Sequence, residues 1–462
     1  MHPSLSFFAF SALWLSLAGS SACQNAEVSS PQVDEDFKIY SEHPRLFLNA
    51  RRLRLLGRER ERDSLRWRQL AALIEGKAQM AEPGFAYGLY YRVSGSAVHG
   101  KLAVDWALGP GTDLRQLALV FDWCQALLTE RQSSDLAAKI RRGISAASNS
   151  RSLPVLRDRA LALVATAGHG REDESESQLK WLVQEWWRKE TAPALLSGRS
   201  WIQHEDVYPL FELLHAVRDN TNIDLRENAA RFFKELPAVR ILGYYPASFP
   251  APENEFRIPF YNENAEPDLR IAALSRAADL SIVAFDTNAL ENQYLQGWLI
   301  HDRFLMRGVF GIVYEFLWAN PYQPGLSYYH LPLSIHDGLA GRLMLRSSWD
   351  DTATWFHFSD GKVQVFDDGV RKDVNIQSPA PIDIAGNTVR LGLAPMRFTV
   401  DQDEKGWTYI IGLKPNQAYD VEIDDQEMQQ HVTDRGGILA FEFPPVIGLG
   451  VRVRESPKNL GQ

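Results

Sequence analysis

Histidine, tyrosine and arginine side chains that can transfer protons or bind anions are concentrated in a few segments of the chain. In GRSWIQHEDVYPLFELLHAVRDN, residues 198–220, Trp201, His204 and Tyr208 lie close together. His204 and Tyr208 are four residues apart, so they share a face if a helix has begun at His204. The alternative is an ordinary helix start, with acidic residues at the positive helix end and Tyr208 packed in the core. HEDVY is not the HExxH zinc motif, and no metal site is expected here.

A second segment, residues 244–270, combines a loop-like composition with aromatic and basic side chains. It holds five prolines and three tyrosines. Long irregular stretches inside compact domains are usually functional or disordered, and the aromatic content argues against disorder. The alternative is a proline-stiffened connection whose aromatic rings cover the core. The side chains here that would contact a ligand are Tyr245, Arg257, Tyr261 and Asn262.

Three further segments contain polar clusters with two interpretations each. His301, next to an aspartate in an apolar helical pattern, is either part of a cleft or half of a buried, hydrogen-bonded pair. The segment 320–338 holds Tyr328 and His330, which either bind a ligand between domains or hold the domains together. Residues 51–68 contain eight arginines and three acidic residues. That run either attracts a polyanion or forms a solvated helix face, and the solvated face is favoured.

The composition is that of an ordinary globular protein, and it excludes several functions. The chain has 462 residues, of which 45% are hydrophobic and 23% charged, and its formal net charge is −9. Such a chain lacks the basic footprint of nucleic-acid binding, so no nucleic-acid partner is expected. Two cysteines cannot build a disulfide scaffold or a four-cysteine zinc site. The sequence lacks the phosphate-binding loop, dinucleotide-binding and nucleophile-elbow motifs, and no cofactor is expected.

The first residues are typical of an export signal. Residues 5–19 are apolar but too few to span a bilayer comfortably, and the small residues before Cys23 resemble a cleavage site. Cleavage after Ala22 would release a soluble protein, whereas a lipid on Cys23 would anchor the protein to a membrane. We therefore expect residues 1–22 to be a signal peptide and 23–40 a flexible tether. The expected location is the periplasm or, for a lipoprotein, the outer membrane of a bacterium.

These side chains must be positioned by secondary-structure elements, and the hydrophobic periodicity that predicts those elements changes once along the chain. Residues 41–335 show helical periodicity in successive segments, such as DLRQLALVFDWCQALL and PDLRIAALSRAADLSIVAFD. Many antiparallel helical hairpins in series indicate an (α/α) toroid. Residues 336–462 show a period of two with short turns, as in KVQVF and ILAFEF, and indicate an antiparallel β-sandwich-like domain. The expected fold is a multidomain α+β protein, with the toroid first and the β domain second.

Three stretches carry a resemblance to a known family. HPRLFLNARRLRLLGRERERDSLRWRQL at 43–70, LALVFDWCQALLTERQSSDLAAKI at 117–140 and GRLMLRSSWDDTATWFHFSDG at 341–361 resemble heparinase II/III-like and alginate-lyase-like proteins. The resemblance implies a toroid followed by an antiparallel sheet domain, in an exported enzyme that cleaves acidic polysaccharides by β-elimination. One departure is that DGKVQVFDDGVRKDVN, after the third stretch, holds no histidine where the family usually has a His-rich stretch. Either the catalytic set lies on the toroid, or the activity has been lost or changed.

The implied reaction gives each candidate residue a role. β-Elimination from a uronate needs a group that offsets the substrate carboxylate, a base, and an acid for the leaving oxygen. We expect His204 to be the base or the carboxylate partner, and Arg257 to clamp the carboxylate. Tyr245 or Tyr208 would be the proton-transferring phenol, which needs a nearby cation because its unperturbed pKa is about 10. Arg257 is the candidate cation, because it lies in the same segment of the sequence as Tyr245. The candidate substrate-binding residues are Trp201, Tyr261, Asn262, His301, Tyr328 and His330.

Two functions therefore stay open from the sequence. The first is a polysaccharide lyase whose partner is an acidic polysaccharide. Its proton chemistry is expected on the toroid, because the sheet region from residue 341 offers only His357 and His431. The alternative is a non-catalytic glycan-binding or envelope scaffold protein with the same toroid, and the missing His-rich stretch favours it.

Overall fold

The structure is a computed structural model that describes residues 37–39, 42–169, 172–199, 202–250, 255–261, 266–302, 306–377, 380–426 and 428–457. The expected signal peptide 1–22, the lipidation candidate Cys23 and most of the tether 23–40 lie outside these residues. Phe37, at the end of that tether, is buried against the helical core. Within the described part, no helix is both long and apolar enough to cross a membrane.

Helices occupy the first part of the described chain. A π-helical segment, Leu182–Thr191, joins α8 to α9. The α-helices are α1 (Ala50–Glu61), α2 (Leu65–Glu75), α3 (Pro83–Ser94), α4 (Ala97–Leu108), α5 (Leu114–Trp123), α6 (Glu130–Ala146), α7 (Leu153–Thr166), α8 (Glu172–Trp181), α9 (Ala192–Leu196), α10 (His204–Thr221), α11 (Ala230–Leu242), α12 (Leu269–Phe285), α13 (Leu290–His301) and α14 (Ile312–Trp318).

Six of these helices form a closed inner ring. In the order α3, α5, α7, α10, α12 and α14, each helix contacts the next, and α14 contacts α3 again. The intervening helices lie outside, with α4 against α3, α6 against α5 and α13 against α12. The predicted toroid is therefore confirmed.

The sequence explains why a helix lies inside or outside the ring. The inner helix α5 is buried from its second residue to its last, and Asp113 caps it by accepting a hydrogen bond from the Gln116 amide at 2.8 Å. The outer helix α6 buries only the stripe containing Leu136, Ile140 and Ile144. A helix packed on all sides needs apolar residues all round, whereas an outer helix needs only one apolar face.

Strands occupy the last part of the chain, apart from a short hairpin of β1 and β2. They form a first sheet in the order β3-β4-β5-β6-β7, a middle sheet β14-β11-β9-β8 and an outer sheet β10-β15-β12-β13. The strands are β1 (Phe249–Pro250), β2 (Glu255–Phe256), β3 (Ser334–Asp337), β4 (Arg342–Arg346), β5 (Trp355–Ser359), β6 (Lys362–Asp367), β7 (Val370–Val374), β8 (Ile382–Ile384), β9 (Asn387–Leu391), β10 (Met396–Gln402), β11 (Gly406–Ile411), β12 (Ala418–Ile423), β13 (Met428–Val432), β14 (Leu439–Phe443) and β15 (Val446–Glu455).

The three sheets pack in layers. Ile411 of β11 packs toward Phe356 in the first sheet, whereas its neighbour Ile410 packs toward Val451 in the outer sheet. This alternation follows from the period of two along a strand. The toroid followed by sheets that are antiparallel except for one strand pair confirms the predicted fold class. Within the middle sheet, β9 and β11 pair in parallel.

The first sheet docks against the toroid. In β5, Phe356 and Phe358 face the middle sheet, whereas Trp355 packs against the toroid with Tyr245 and Ala272. The indole of Trp355 donates to the Leu242 carbonyl at 2.7 Å, which fixes the end of α11 to the sheet. We call this contact surface, built around Tyr245, Ala272 and Trp355, the junction.

Candidate functional site

The junction brings together two histidines that are far apart in the sequence. His204 begins α10 and His357 lies in β5, and the ring of Phe260 contacts both, with centroids 4.8 Å and 3.9 Å away. Only 9% of His204 and 2% of His357 are exposed. Burial lowers the pKa of His357 to about 3 and holds the pKa of His204 well below its usual value. Both imidazoles are therefore neutral at neutral pH.

A buried ion network fixes the orientation of His204. Arg240 donates to His204 Nδ1 at 2.9 Å and to Asp279 Oδ1 at 2.7 Å. The hydroxyl of Tyr244 donates to the other Asp279 oxygen at 2.6 Å. Because a guanidinium only donates, Nδ1 of His204 is the acceptor and Nε2 carries the hydrogen. In the described part of the chain, Nε2 of His204 and Nε2 of His357 are buried without a hydrogen-bond partner.

Tyr245 lies at the junction and is held by the first sheet. Its hydroxyl donates to Gln364 Oε1 at 3.1 Å and accepts from the Tyr261 amide at 3.4 Å. Burial raises the pKa of Tyr245 to about 12, although the Tyr261 amide and Arg371 act in the opposite direction. The cation that acts on Tyr245 is thus Arg371 and not Arg257, and Tyr245 remains a protonated phenol at neutral pH.

Arg257 lies at the junction but is already balanced by carboxylates. Its Nε donates to Asp302 Oδ1 at 2.8 Å, and its Nη2 donates to Asp351 Oδ1 at 2.9 Å. Arg276 donates to the other Asp302 oxygen at 2.5 Å. The space beside these groups measures about 10 Å³, which is room for about one water molecule. A substrate carboxylate would therefore have to displace Asp351, the exposed partner of Arg257.

The remaining predicted binding residues lie at the edge of this network or outside the described residues. His301 Nδ1 and the Tyr328 hydroxyl are 3.0 Å apart, and both residues line the same small space. His330 ends the short 3-10 helix Tyr328–His330 and is exposed. Trp201 and Asn262 lie outside the described residues. The junction thus gathers His301 and Tyr328 near Arg257, although His301 is exposed, as His330 is.

Tyr208 lies elsewhere, in the lumen of the helical ring. Its hydroxyl donates to Glu212 Oε1 at 2.7 Å and accepts from the Trp318 indole at 2.9 Å, while Arg115 and Arg157 both bind Glu212. These residues come from α5, α7, α10 and α14, so their side chains meet across the ring. Burial, together with Glu212, raises the pKa of Tyr208 well above its usual value. Burial would also raise the pKa of Glu212, but the two arginines hold it below its usual value.

Sequence reasoning selected His204, Tyr245 and Arg257 but missed the partners that position them. Arg240 and Asp279 are single charged residues in the apolar stretches AVRIL and AADLSIV. Because a buried charge requires a partner, a single charge in an apolar stretch predicts a buried ion pair. His357 carries no comparable signal, since the pattern of β5 shows only that it faces away from Phe356. Among the residues that the structure describes, no group of histidine, cysteine and acidic residues could hold a metal ion.

Comparison with known proteins gives no family assignment. No family model matches the chain, and no curated protein matches its sequence. The chain is similar to a solved glycoside hydrolase with a TM-score of 0.30 and 9% identity, over 81% of this chain and 71% of that one. It is similar to a solved β-arabinofuranosidase of family GH127 with a TM-score of 0.30 and 10% identity, over 91% and 80% of the two chains. The heparinase II/III-like and alginate-lyase-like resemblance stays a prediction.

Proposed function

We propose that the protein cleaves a uronic-acid-containing polysaccharide by β-elimination at the junction. The observation that carries this proposal is that two neutral imidazoles, His204 from the toroid and His357 from the first sheet, lie against the same ring of Phe260. Tyr245 and Arg257 lie on the same junction. Imidazole, phenol and guanidinium are the group types that the reaction requires.

The hydrogen-bond pattern suggests how the roles would divide. His204 Nε2 carries a hydrogen, so it would donate to the substrate carboxylate and offset its charge. His357 is neutral and would accept the proton next to that carboxylate, so the base would lie on the first sheet and not on the toroid, where the sequence analysis expected it. Tyr245 is protonated and would donate its proton to the leaving oxygen. Since both imidazoles are buried, substrate would reach them only after Phe260 moves off the two rings.

The test is ultraviolet absorbance of the unsaturated uronate during incubation with alginate, heparin, heparan sulfate and hyaluronan. We expect one of these polymers to give an increase, and His204→Ala, His357→Ala and Tyr245→Phe to lose about 10²–10⁴-fold in rate. His431→Ala, on the outer sheet strand β13, is the matched histidine control and should keep the full rate. Circular dichroism verifies folding of each variant. Near-normal turnover in His204→Ala and Tyr245→Phe would refute the assigned roles.

Binding without cleavage is the second candidate function. The carboxylate partners that already balance Arg257 favour it over cleavage, because Arg257 is then not free to clamp a substrate carboxylate. Calorimetric titration with the same four polymers distinguishes the two functions. Heat of binding without any rise in absorbance would leave a glycan-binding protein and exclude the lyase.

A further inference from the structure

A cavity of about 500 Å³ lies at the end of the toroid opposite the junction. It is formed where the C-terminal ends of α10, α12 and α14 meet α1. Its volume lies within the usual range for small-molecule sites. The charged residues in its wall are Arg51, Arg52, Arg54, Arg58, Arg218 and Asp219, and we call it the arginine cavity.

The positive charge of the arginine cavity is largely unbalanced. Five arginines face one aspartate, in a chain whose formal net charge is −9. Asp219 binds Arg218 at 2.8 Å, and within the described residues no carboxylate lies at ion-pair distance from the other four arginines. Arg52 is half-buried and donates to the Trp318 carbonyl at 3.1 Å. Burial lowers the pKa of Arg52 to about 10, although Asp219 acts in the opposite direction. A bound anion would supply the missing negative charge.

The uncharged walls favour an anion with a sugar ring over a bare inorganic ion. Tyr322, which is 41% exposed, offers an aromatic surface, and the half-buried Asn320 offers an amide. Trp318, Phe285 and Gln296 also line the cavity but are buried in its wall. Aromatic faces pack on the apolar faces of sugar rings, and amides hydrogen-bond to hydroxyls. The guanidinium of Arg218 is already stacked 3.6 Å from the Phe285 ring centroid, so part of this wall is ordered before a ligand arrives.

We propose that the arginine cavity binds a small acidic saccharide that carries carboxylate or sulfate groups. The site is separate from the junction, and it does not depend on cleavage there. Arginine suits such a ligand because its planar fork binds carboxylate and sulfate oxygens in pairs. Several arginines around one cavity favour a ligand with more than one acidic group.

The experiment is isothermal titration of the full chain at fixed ionic strength. The probes are a sulfated heparin disaccharide, an unsulfated hyaluronan disaccharide, neutral cellobiose, sodium sulfate and phosphatidylglycerol vesicles. We expect at least one acidic disaccharide to bind, with an affinity that falls as salt rises. Arg52→Gln should weaken binding by about tenfold or more. Arg54→Gln, at an exposed position of the wall, should weaken it as well even if Arg52→Gln fails to fold.

The matched control is Arg131→Gln, which removes the same charge from a side chain that is 92% exposed on α6. It should bind like the wild type. Equal weakening by Arg131→Gln, binding of cellobiose as tight as that of the acidic disaccharides, or binding of sulfate or vesicles alone would overturn the proposal. Tyr245→Phe and His357→Ala should leave disaccharide binding intact, so failure of the lyase proposal and failure of this one are distinguishable.

Discussion

Loss of the ion pair between Arg240 and Asp279 should cost more stability than loss of any exposed pair. Arg240 is 2% exposed and Asp279 is 0% exposed, so neither charge can turn to water. At 2.7 Å and an effective dielectric constant of about 20, two unit charges attract by about 6 kcal/mol. Asp279→Asn keeps the shape but leaves the guanidinium uncompensated. We expect the free energy of unfolding to fall by about 3–5 kcal/mol.

Urea unfolding at pH 7, followed by circular dichroism, measures this loss. The control Asp135→Asn removes a carboxylate that is 65% exposed and paired with Arg131, and its cost should stay below about 1 kcal/mol. The double variant Arg240→Met, Asp279→Leu should recover much of the stability, because it removes both buried charges together. A loss for Asp279→Asn no larger than that of the control would refute the reasoning.

Three further predictions concern protonation and processing. Burial raises the pKa of Asp158 to about 6 from its ordinary value of 3.8, so its favourable contribution is present below about pH 4 and is lost as pH rises toward 6. Asp158→Asn should lack that loss in urea unfolding across this range. Burial lowers the pKa of His357 to about 3 from 6.5, so stability should fall as pH drops through this window, and less so in His357→Phe. Intact mass of protein from a bacterial envelope fraction should show a chain that begins near Cys23, with a diacylglyceryl mass if it is lipidated. A cytoplasmic form that retains residues 1–22 would contradict export.

The architecture was predictable because the patterns that determine it are local. The difference between α5, which is buried nearly throughout, and α6, which buries one stripe, is already visible in a window of about 15 residues. Likewise, the alternation of Ile410 and Ile411 in β11 separates two sheet faces within one strand. Local patterns specify which side of an element is covered, but not which other element covers it.

The candidate site was only partly predictable because its contacts are not local. His204 and Tyr208 share one helix, yet the first reaches the junction and the second reaches the lumen, since the helix passes from one environment to the other within a turn. The sequence shows Arg240 and Asp279 each as a single charge in an apolar stretch. Their pairing could not be predicted, because it depends on how α11 packs against α12. The arginine cavity was not predicted for the same reason. The sequence of α1 is typical of a solvated helix face, and the cavity exists only because the ends of α10 and α14 pack next to α1.

The filled lumen limits where this toroid can bind a ligand. Tyr208 and Glu212 meet Arg115 and Trp318 across the ring, and the hydrogen bonds among them satisfy one another. A network of this kind is costly to break, because each buried charge would lose its partner. A ligand at one end therefore has no direct path through these side chains to the other end. The junction, with its neutral imidazoles, and the arginine cavity, with its excess of positive charge, should accordingly bind ligands as independent sites.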